Sequence, residues 1–353
     1  MAERGSGKSL VMNERDLGAF ARHLAASYSV LAPIVDGGVT RFAVAGADDI
    51  CGSEDREGVP AISKRPLKEM FFPQEEVLFA FDAGGKVEVA AGAAAPADEV
   101  TRVAFGVRPC DARSLTLLDL VFDAADYKDP YYVSRRRSTA VVTFACFEPG
   151  VACFCTSVGG GPYDETGSDL MFAEAGEAYL VRPLSAKGEK LLCGFDAVRE
   201  AGDADLEAAR EAEARAAGRL ARSVPVDAAV SKLGGAFGDA AWDDIHRKCL
   251  GCAVCTYLCP TCHCFDIGDE ATRAGGERVR NWDSCMFPLF TLHASGHNPR
   301  PSRKERFRQR IMHKFNYFVE NNGRVACVGC GRCVENCPVN LDVRKVLETI
   351  AAL

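Results

Sequence analysis

The chain has 353 residues, of which 48% are hydrophobic and 26% are charged, the proportions of an ordinary soluble globular protein. Its 49 acidic side chains outnumber the 42 basic ones, and the net charge of −7 argues against a general nucleic-acid-binding surface. No apolar run reaches the roughly 18 residues that a membrane-spanning helix needs, and no export signal is recognisable. We therefore expect a cytoplasmic protein without direct membrane insertion.

The first part of the chain, residues 1–195, is predicted to be an α/β domain. Apolar residues at helical spacing predict a helix over 14–26, followed by a strand. Residues 102–107 and 139–145 are predicted to be buried strands, joined by a helix over 112–122. This is a βαβ pattern, most simply two parallel strands with a crossover helix.

The rest of the chain is predicted to be mainly helical. Residues 196–240 are predicted to be a helical connector, because the segment 203–221 is rich in Ala, Glu and Arg and poor in large apolar residues. Residues 241–353 contain prolines but few β-branched runs, which favours helices and loops. The predicted fold class is thus an α/β N-terminal domain followed by a mainly helical C-terminal domain, whose ferredoxin-like character rests on its cysteines.

Seventeen cysteines are the most unusual feature of the composition. In a reducing compartment, such a number indicates metal binding or catalysis rather than a disulfide framework. Eight of them form two copies of the pattern C-x2-C-x2-C-x3-C-P. The first copy is Cys249, Cys252, Cys255 and Cys259, and the second is Cys327, Cys330, Cys333 and Cys337.

This pattern is that of bacterial ferredoxins, in which three closely spaced cysteines wrap three iron corners of a cubane cluster and the fourth usually serves the other cluster. The sequence therefore predicts two [4Fe–4S] clusters. One set of ligands is Cys249, Cys252, Cys255 and Cys337, and the other is Cys327, Cys330, Cys333 and Cys259. Glycines within the two runs are expected to let backbone amides approach the sulfurs.

Two other metal chemistries fit these runs less well. Structural zinc prefers two separated pairs of ligands, which fits three cysteines within seven residues poorly. The spacing Cys255-x3-Cys259-x2-Cys262 matches that of radical-SAM enzymes, but it is nested in a longer motif and no series of βα repeats surrounds it.

The other nine cysteines carry weaker signals. Cys110, Cys146, Cys153 and Cys155 follow the two predicted parallel strands, and they are candidates for a third [4Fe–4S] cluster at the carboxyl edge of the sheet. Burial as small hydrophobic side chains is the alternative. Cys262, Cys264 and Cys285 are expected to shield a cluster, to replace Cys259 as a ligand, or to pack. Cys51 and Cys193 are interpreted as structural thiols.

One local charge feature stands out from the acidic background. Seven basic residues lie between Arg300 and Lys314, against one acidic residue. Either they form a solvated helix face, or they dock an acidic redox partner or a phosphate-bearing cofactor of a partner. The docking candidates are Arg300, Arg303, Lys304, Arg306, Arg308 and Arg310.

Several segments together resemble a known family. They are CLGCAVCTYLCPTCHCFDI, NWDSCMF, HNPRPSRKERFRQRIMHKF, CVGCGRCVENCPVNLDV, GVRPCDARSL and CFCTSVGGGP. These segments resemble the iron–sulfur β subunit of cytoplasmic [NiFe] hydrogenases of the sulfhydrogenase type. They equally resemble the iron–sulfur subunit of anaerobic sulfite reductases and the dicluster subunit of flavin oxidoreductase modules that feed heterodisulfide reductase. The likeness covers residues 102–343 well and the first hundred residues loosely.

The resemblance implies a subunit that passes electrons between a flavin- and NAD(P)-binding partner and a terminal hydrogenase or reductase, with ferredoxin as a further candidate partner. No Gly-x-Gly-x-x-Gly follows a strand, so the chain has no dinucleotide fingerprint of its own. Two alternatives stay open. One is a self-contained iron–sulfur reductase with a substrate site in the N-terminal domain, and the other is a scaffold with structural clusters.

Overall fold

A computed structural model describes residues 8–46, 49–50, 63–90, 99–220 and 222–353 of the chain, and the structural statements below concern these. Packing divides the chain into two units. The first comprises Met1–Phe71, Ala94–Gly150 and Gly160–Ala221, and the second comprises Phe72–Ala93, Val151–Gly159 and Arg222–Leu353. The sequence division into 1–195, 196–240 and 241–353 did not anticipate that two short earlier segments belong to the second unit.

The strands and helices of the described residues are numbered in chain order. The strands are β1 (Leu10–Asn13), β2 (Ser29–Asp36), β3 (Val39–Val44), β4 (Glu75–Asp82), β5 (Val87–Val89), β6 (Arg102–Val107), β7 (Thr139–Phe144), β8 (Leu170–Ala175), β9 (Ala178–Pro183), β10 (Arg199–Glu200), β11 (Phe265–Thr272) and β12 (Gly275–Trp282). The helices are α1 (Leu17–Ala25), α2 (Pro109–Phe122), α3 (Pro130–Ser138), α4 (Ala186–Leu192), α5 (Asp203–Gly218), α6 (Val226–Leu233), α7 (Ala241–Ile245), α8 (Val254–Tyr257), α9 (Arg303–Met312), α10 (Phe318–Asn322), α11 (Arg332–Glu335) and α12 (Val343–Ala352).

The first unit is built on a mixed eight-stranded sheet in the order β10-β1-β9-β8-β7-β6-β2-β3. Its centre is parallel, with β6 in register against β7 from Arg102 opposite Thr139. The predicted βαβ unit is therefore confirmed, although two helices, α2 and α3, make the crossover. All six residues of β7 are buried, as expected for a central parallel strand covered on both faces.

Alternation along the strands of the first unit sends side chains to two apolar layers. On β8, Phe172 packs in one layer with Phe20 and Leu24 of α1. Its neighbour Met171 packs in the other layer, beneath α5. The sequence predicted α5 to be part of a helical connector, but Ala209, Ala212 and Ala216 are buried in that second layer and make α5 part of the first unit. Their helical spacing gives α5 a narrow stripe of small residues that fits closely on the sheet.

The second unit combines helices with an antiparallel sheet in the order β11-β12-β4-β5. The hairpin of β11 and β12 lies where the sequence predicted only helices and loops. It pairs Phe265 with Trp282 and turns at residues 273–274, and β12 then begins at Gly275, whose φ of 145° no other residue type adopts readily. The sheet is anchored in part by Trp282, whose Nε1 donates to the Phe72 carbonyl at 3.0 Å.

Helices carry the core of the second unit. Val343, Val346, Leu347 and Ile350 form a buried stripe on α12 and share a cluster with Leu233 of α6. Ser302 and Glu305 form a reciprocal capping box at the start of α9. A π-helical turn, His313–Tyr317, continues α9. None of the helices within the described ranges has the length and apolar character needed to cross a bilayer.

Candidate metal centre

The two cysteine runs have the same backbone construction. In the first, Gly251 and Ala253 have positive φ values of 75° and 64°, and the short helix α8 follows. In the second, Gly329 and Gly331 have φ values of 65° and 76°, and α11 follows at the equivalent position. Left-handed residues turn the chain sharply, so each loop curls around its own three cysteines.

The cysteines of the two runs line two cavities within the second unit. The first cavity is lined by Cys249, Cys252 and Cys255 of the first run together with Cys337 of the second. The other is lined by Cys327, Cys330 and Cys333 of the second run together with Cys259 of the first. We call these cavity 1 and cavity 2. They share a wall of Cys333, Arg310 and Val343. The lining of each cavity thus includes the four cysteines that the crossed ferredoxin pattern predicts for one cluster.

Backbone amides point at some of these sulfurs. Leu341 N–H donates to Cys337 Sγ at 3.2 Å, and Gly329 N–H donates to Cys327 Sγ at 3.5 Å. Such donors stabilise the negative charge of ligating thiolates. At Gly329 a side chain has no room, because a Cβ would lie 2.5 Å from the backbone nitrogen of Cys155.

Burial opposes ionisation of most of these cysteines. It raises the pKa of Cys249, Cys255 and Cys333, and it raises the pKa of Cys327 to about 12. Metal ligation requires the thiolate form, and a bound metal cation offsets the negative charge that burial disfavours. Among the described residues, no three or more His, Cys, Asp or Glu side chains lie close enough together to coordinate a single metal ion. A cubane cluster spreads its four ligands over separate iron corners.

Two buried cations stand beside the cavities. Arg310 and Lys314 are 4% exposed each, and no carboxylate of the described residues forms an ion pair with either. Lys314 Nζ donates to Cys259 Sγ at 3.2 Å, to Thr261 Oγ1 at 2.9 Å and to the Ala326 carbonyl at 2.9 Å. Burying an uncompensated cation is costly, so an anionic group is expected beside them. An anionic iron–sulfur cluster with four thiolate ligands meets that demand.

The cysteines and these two cations shift each other's pKa values. Burial alone would lower the pKa of Lys314 and Arg310, but the surrounding cysteine sulfurs raise both. The pKa of Cys259 falls well below its usual value, because Cys262 donates a hydrogen bond to it and Lys314 and Arg310 lie close. The lowered pKa favours the thiolate form of Cys259, which is the form that binds metals.

Comparison with known proteins agrees with this geometry. Residues 248–341 match the family described as a 4Fe-4S dicluster domain. The sulfhydrogenase 2 subunit beta of Pyrococcus furiosus is 35% identical over 288 residues, which cover 81% of this chain and 80% of that protein. The chain belongs to the sulfhydrogenase β-subunit family of iron–sulfur proteins. No solved structure gives a significant match.

Membership of the sulfhydrogenase β-subunit family makes the chain an iron–sulfur protein of electron transport, with a dicluster domain for two [4Fe–4S] clusters. The resemblance recognised from the sequence segments is thereby confirmed. The dicluster match covers both cysteine runs, and it lies within the second unit.

The structure corrects the interpretation of the basic segment. Arg306 and Arg310 are buried, with 7% and 4% exposure, and so they do not belong to a docking surface. Arg306 donates to the carbonyls of Met286, Arg300 and Pro301, which ties α9 to the preceding loops. A signal for this burial was present in the spacing: Arg306, Arg310 and Lys314 are four residues apart, so they share one face of the helix.

The remaining basic residues of this segment are more accessible. Arg303 is exposed and donates to the Cys249 carbonyl at 3.2 Å, while Lys304 pairs with Asp243 at 2.8 Å. Arg308 covers the ring of Phe237, with its guanidinium carbon 3.8 Å from the ring centroid. Arg300 is half-buried. Of the predicted docking set, Arg303 therefore presents its charge beside Cys249 of cavity 1, and Lys304 is a partly exposed neighbour on the same helix.

The four cysteines predicted to hold a third cluster fall into different units. Cys110 lies in the first turn of α2 after β6, and Cys146 follows β7, both in the first unit. Cys153 and Cys155 belong to the second unit, where Cys153 Sγ lies 3.7 Å from the Cys330 carbonyl. The third cluster stays a prediction, which iron analysis tests: about eight irons per chain would exclude it and about twelve would support it.

The cysteines beside the first run lie close to one another in pairs. A hydrogen bond from Cys262 to the Cys259 sulfur raises the pKa of Cys262, and a hydrogen bond with Cys264 raises that of Cys285. Asp283 N–H donates to the Cys264 carbonyl at 3.0 Å, so these residues extend the β11–β12 ladder. Cys193 is exposed. Cys51 lies outside the described residues.

Proposed function

We propose that this chain is the electron-transfer subunit of a cytoplasmic multisubunit oxidoreductase. In this role it relays single electrons between a flavin- and NAD(P)-binding partner and a terminal catalytic subunit. The terminal subunit is a hydrogenase, or a reductase of sulfite, sulfur or a heterodisulfide. The relative's printed name, a beta subunit of a sulfhydrogenase, supports the assignment to a complex.

One observation carries this proposal: the two cysteine-lined cavities share a wall. Cys333, Arg310 and Val343 line both cavities, so groups bound in them are neighbours separated by single side chains. Neighbouring one-electron centres form a conducting path. They also allow the two electrons of a flavin to leave one at a time.

The ligand assignment is part of the proposal. Cluster 1 is held in cavity 1 by Cys249, Cys252, Cys255 and Cys337, and cluster 2 is held in cavity 2 by Cys327, Cys330, Cys333 and Cys259. When bound, each [4Fe–4S] cluster supplies a centre that accepts or releases one electron. The ferredoxin-like character of the domain rests on the same crossed pairing.

The protein's own residues hold and shield these centres. The left-handed residues at 251, 253, 329 and 331 shape the loops. Met286 and Phe307 line cavity 1, and Phe154 and Phe315 line cavity 2, so apolar side chains limit access of water. Electron transfer requires no general base or nucleophile, so the proposal gives no residue such a role.

Paired cysteine variants test the crossed assignment. Cys252→Ala and Cys337→Ala should each lose about four irons per chain, and the double variant should lose no more, because both residues serve cluster 1. Cys252→Ala combined with Cys330→Ala should lose about eight irons, since two clusters are then affected. Iron and sulfide analysis of anaerobically purified protein gives these numbers.

Cys193→Ala serves as the control for cysteine loss, because Cys193 is an exposed thiol of the first unit. Its iron content should equal that of the wild type. Loss of both clusters from the Cys252→Ala/Cys337→Ala protein would overturn the crossed pairing. Clusters that dithionite cannot reduce reversibly would overturn the relay itself. Turnover of a small substrate by the purified chain alone, with reduced viologen as donor, would favour the self-contained reductase.

A further inference from the structure

We propose that Lys314 makes cluster 2 the higher-potential centre, so that the first electron entering the subunit rests on cluster 2 and cluster 1 is reduced second. This inference rests on the two-cluster assignment proposed above. It adds an order of reduction that neither the family nor the cysteine pattern specifies.

The argument begins with the placement of Lys314. It follows Arg310 by one turn, on the buried face of α9 and the π-helical turn that continues it. All three of its donors are used within the second unit, on Cys259 Sγ, Thr261 Oγ1 and the Ala326 carbonyl. The ammonium is therefore fixed in position, and it bonds directly to a ligand sulfur of cluster 2.

Lys314 acts on one cavity only. It lines cavity 2 and is absent from the lining of cavity 1. The positive charge of Lys314 favours the thiolate form of Cys259 and Cys327, which are both assigned to cluster 2, and of the neighbouring Cys262. Reduction adds one negative charge to a cluster, and a fixed cation at hydrogen-bond distance stabilises that charge.

The two other buried cations that act on cysteines of the two runs, Arg310 and Arg332, do not oppose this asymmetry. Arg310 lines both cavities, donates to the Cys255 carbonyl at 3.2 Å and lies against Cys333, so its charge acts on a ligand of each cluster. Arg332 is buried, and its charge favours the thiolate of Cys330, a ligand of cluster 2. Arg332 therefore acts in the same direction as Lys314.

Solvent works in the opposite direction. Cys252 of cluster 1 is exposed, whereas Cys259 of cluster 2 is buried, and contact with water favours the more highly charged reduced state. The ammonium nevertheless prevails, because it is a full charge in contact with sulfur in a water-poor interior, where Coulomb interactions are screened least. The exposed Arg303 beside cluster 1 is screened by solvent and salt.

The chemistry of the test is simple addition of electrons. A dithionite titration adds one electron to each cluster, and electron paramagnetic resonance counts the reduced clusters at each potential. Wild-type protein should show two one-electron steps. In Lys314→Gln, the reduction potential of the higher step should fall by about 59 mV or more, which corresponds to a change of about tenfold or more in the equilibrium constant for one electron. The potential of the lower step should not change.

Lys314→Arg keeps the charge and should keep the higher step near its wild-type position. Lys345→Gln is the control within the same unit, because Lys345 is an exposed lysine that pairs with Glu348 at the surface. It should move neither step. A merely structural role of Lys314 would lower cluster content without moving a potential.

A second route covers a Lys314→Gln protein that fails to fold. Cys330→Ala removes a ligand of cluster 2 only, so the surviving cluster should titrate at the lower wild-type potential. A survivor at the higher potential would overturn the inference, as would a Lys314→Gln protein in which the lower step, both steps or neither step moves. A wild-type protein without two clusters would instead reject the proposed function, so the two failures are distinguishable.

Discussion

Lys314 donates a hydrogen bond from Nζ to the Sγ of Cys259 at 3.2 Å, and both side chains are buried. A lysine is seldom buried without a carboxylate partner, because desolvation of its charge is costly. Here a cysteine sulfur takes the place of the carboxylate. The basic segment of the sequence thus contributes to the interior of the candidate metal centre as well as to its surface.

Gly329→Ala should destabilise the second unit and reduce the content of cluster 2. The substitution places a Cβ at positive φ and within 2.5 Å of the Cys155 backbone nitrogen. Overpacking of this kind costs about 1–3 kcal/mol in addition to the strain of a left-handed residue. Gly251→Ala is the control, because its φ is similar and its nearest contact is 3.6 Å away. Urea unfolding and iron analysis measure both, and equal losses would contradict the steric argument.

Arg280→Met should lower the free energy of unfolding by about 3–5 kcal/mol. Arg280 and Glu76 form an ion pair across β12 and β4, with 4% and 5% exposure of their side chains, and the variant leaves the carboxylate buried without that partner. Arg278 pairs with Asp269 on the neighbouring strand, but these side chains are 44% and 43% exposed. Arg278→Met should therefore cost about 1 kcal/mol or less. Similar denaturant midpoints for the two variants would count against this ranking.

Acidification should weaken the second unit through His313. Burial, helped by Lys314 and Arg300, lowers the pKa of His313 to about 4. The unfolded chain binds its proton near pH 6.5 and the folded chain does not, so stability present above pH 6.5 is lost as the pH falls toward 4. Between pH 7 and pH 5 the loss should be about 2 kcal/mol.

Urea unfolding at pH 7 and pH 5 measures this loss, with His313→Gln as the comparison. The variant has no titrating ring, so its stability should fall by about 2 kcal/mol less than that of the wild type over the same interval. An identical fall in both proteins would mean that other groups control the acid response.

Reversal of Arg303 and Lys304 to Glu should slow electron transfer from the proposed flavin-binding partner by about tenfold at low salt, because both side chains are accessible on α9 and Arg303 contacts Cys249 of cavity 1. The difference should shrink as ionic strength rises. Arg210→Glu with Arg215→Glu gives the same charge change on exposed positions of α5. Stopped-flow rates for the purified partner and each variant decide it: identical rates at every salt concentration would leave Arg303 and Lys304 as solvated surface residues.

The cysteine pattern by itself determined the cofactor class. Spacing within each run is local information, since three thiols within seven residues reach one cluster whatever the surrounding fold is. Local periodicity likewise predicted β6, β7 and the parallel connection between them. The segments carrying the family resemblance led to the family that comparison established.

Tertiary structure decided what depends on residues far apart in the chain. The pairing of β12 with β4 joins residues that are about two hundred positions apart, and no local pattern reveals such a partner. Tertiary structure also decided which face of α9 is buried, because a run of arginines and lysines is expected to be solvated until its packing neighbours are known. Only packing shows that Arg306, Arg310 and Lys314 face inward, where the last two lie beside cysteine sulfurs of the two runs.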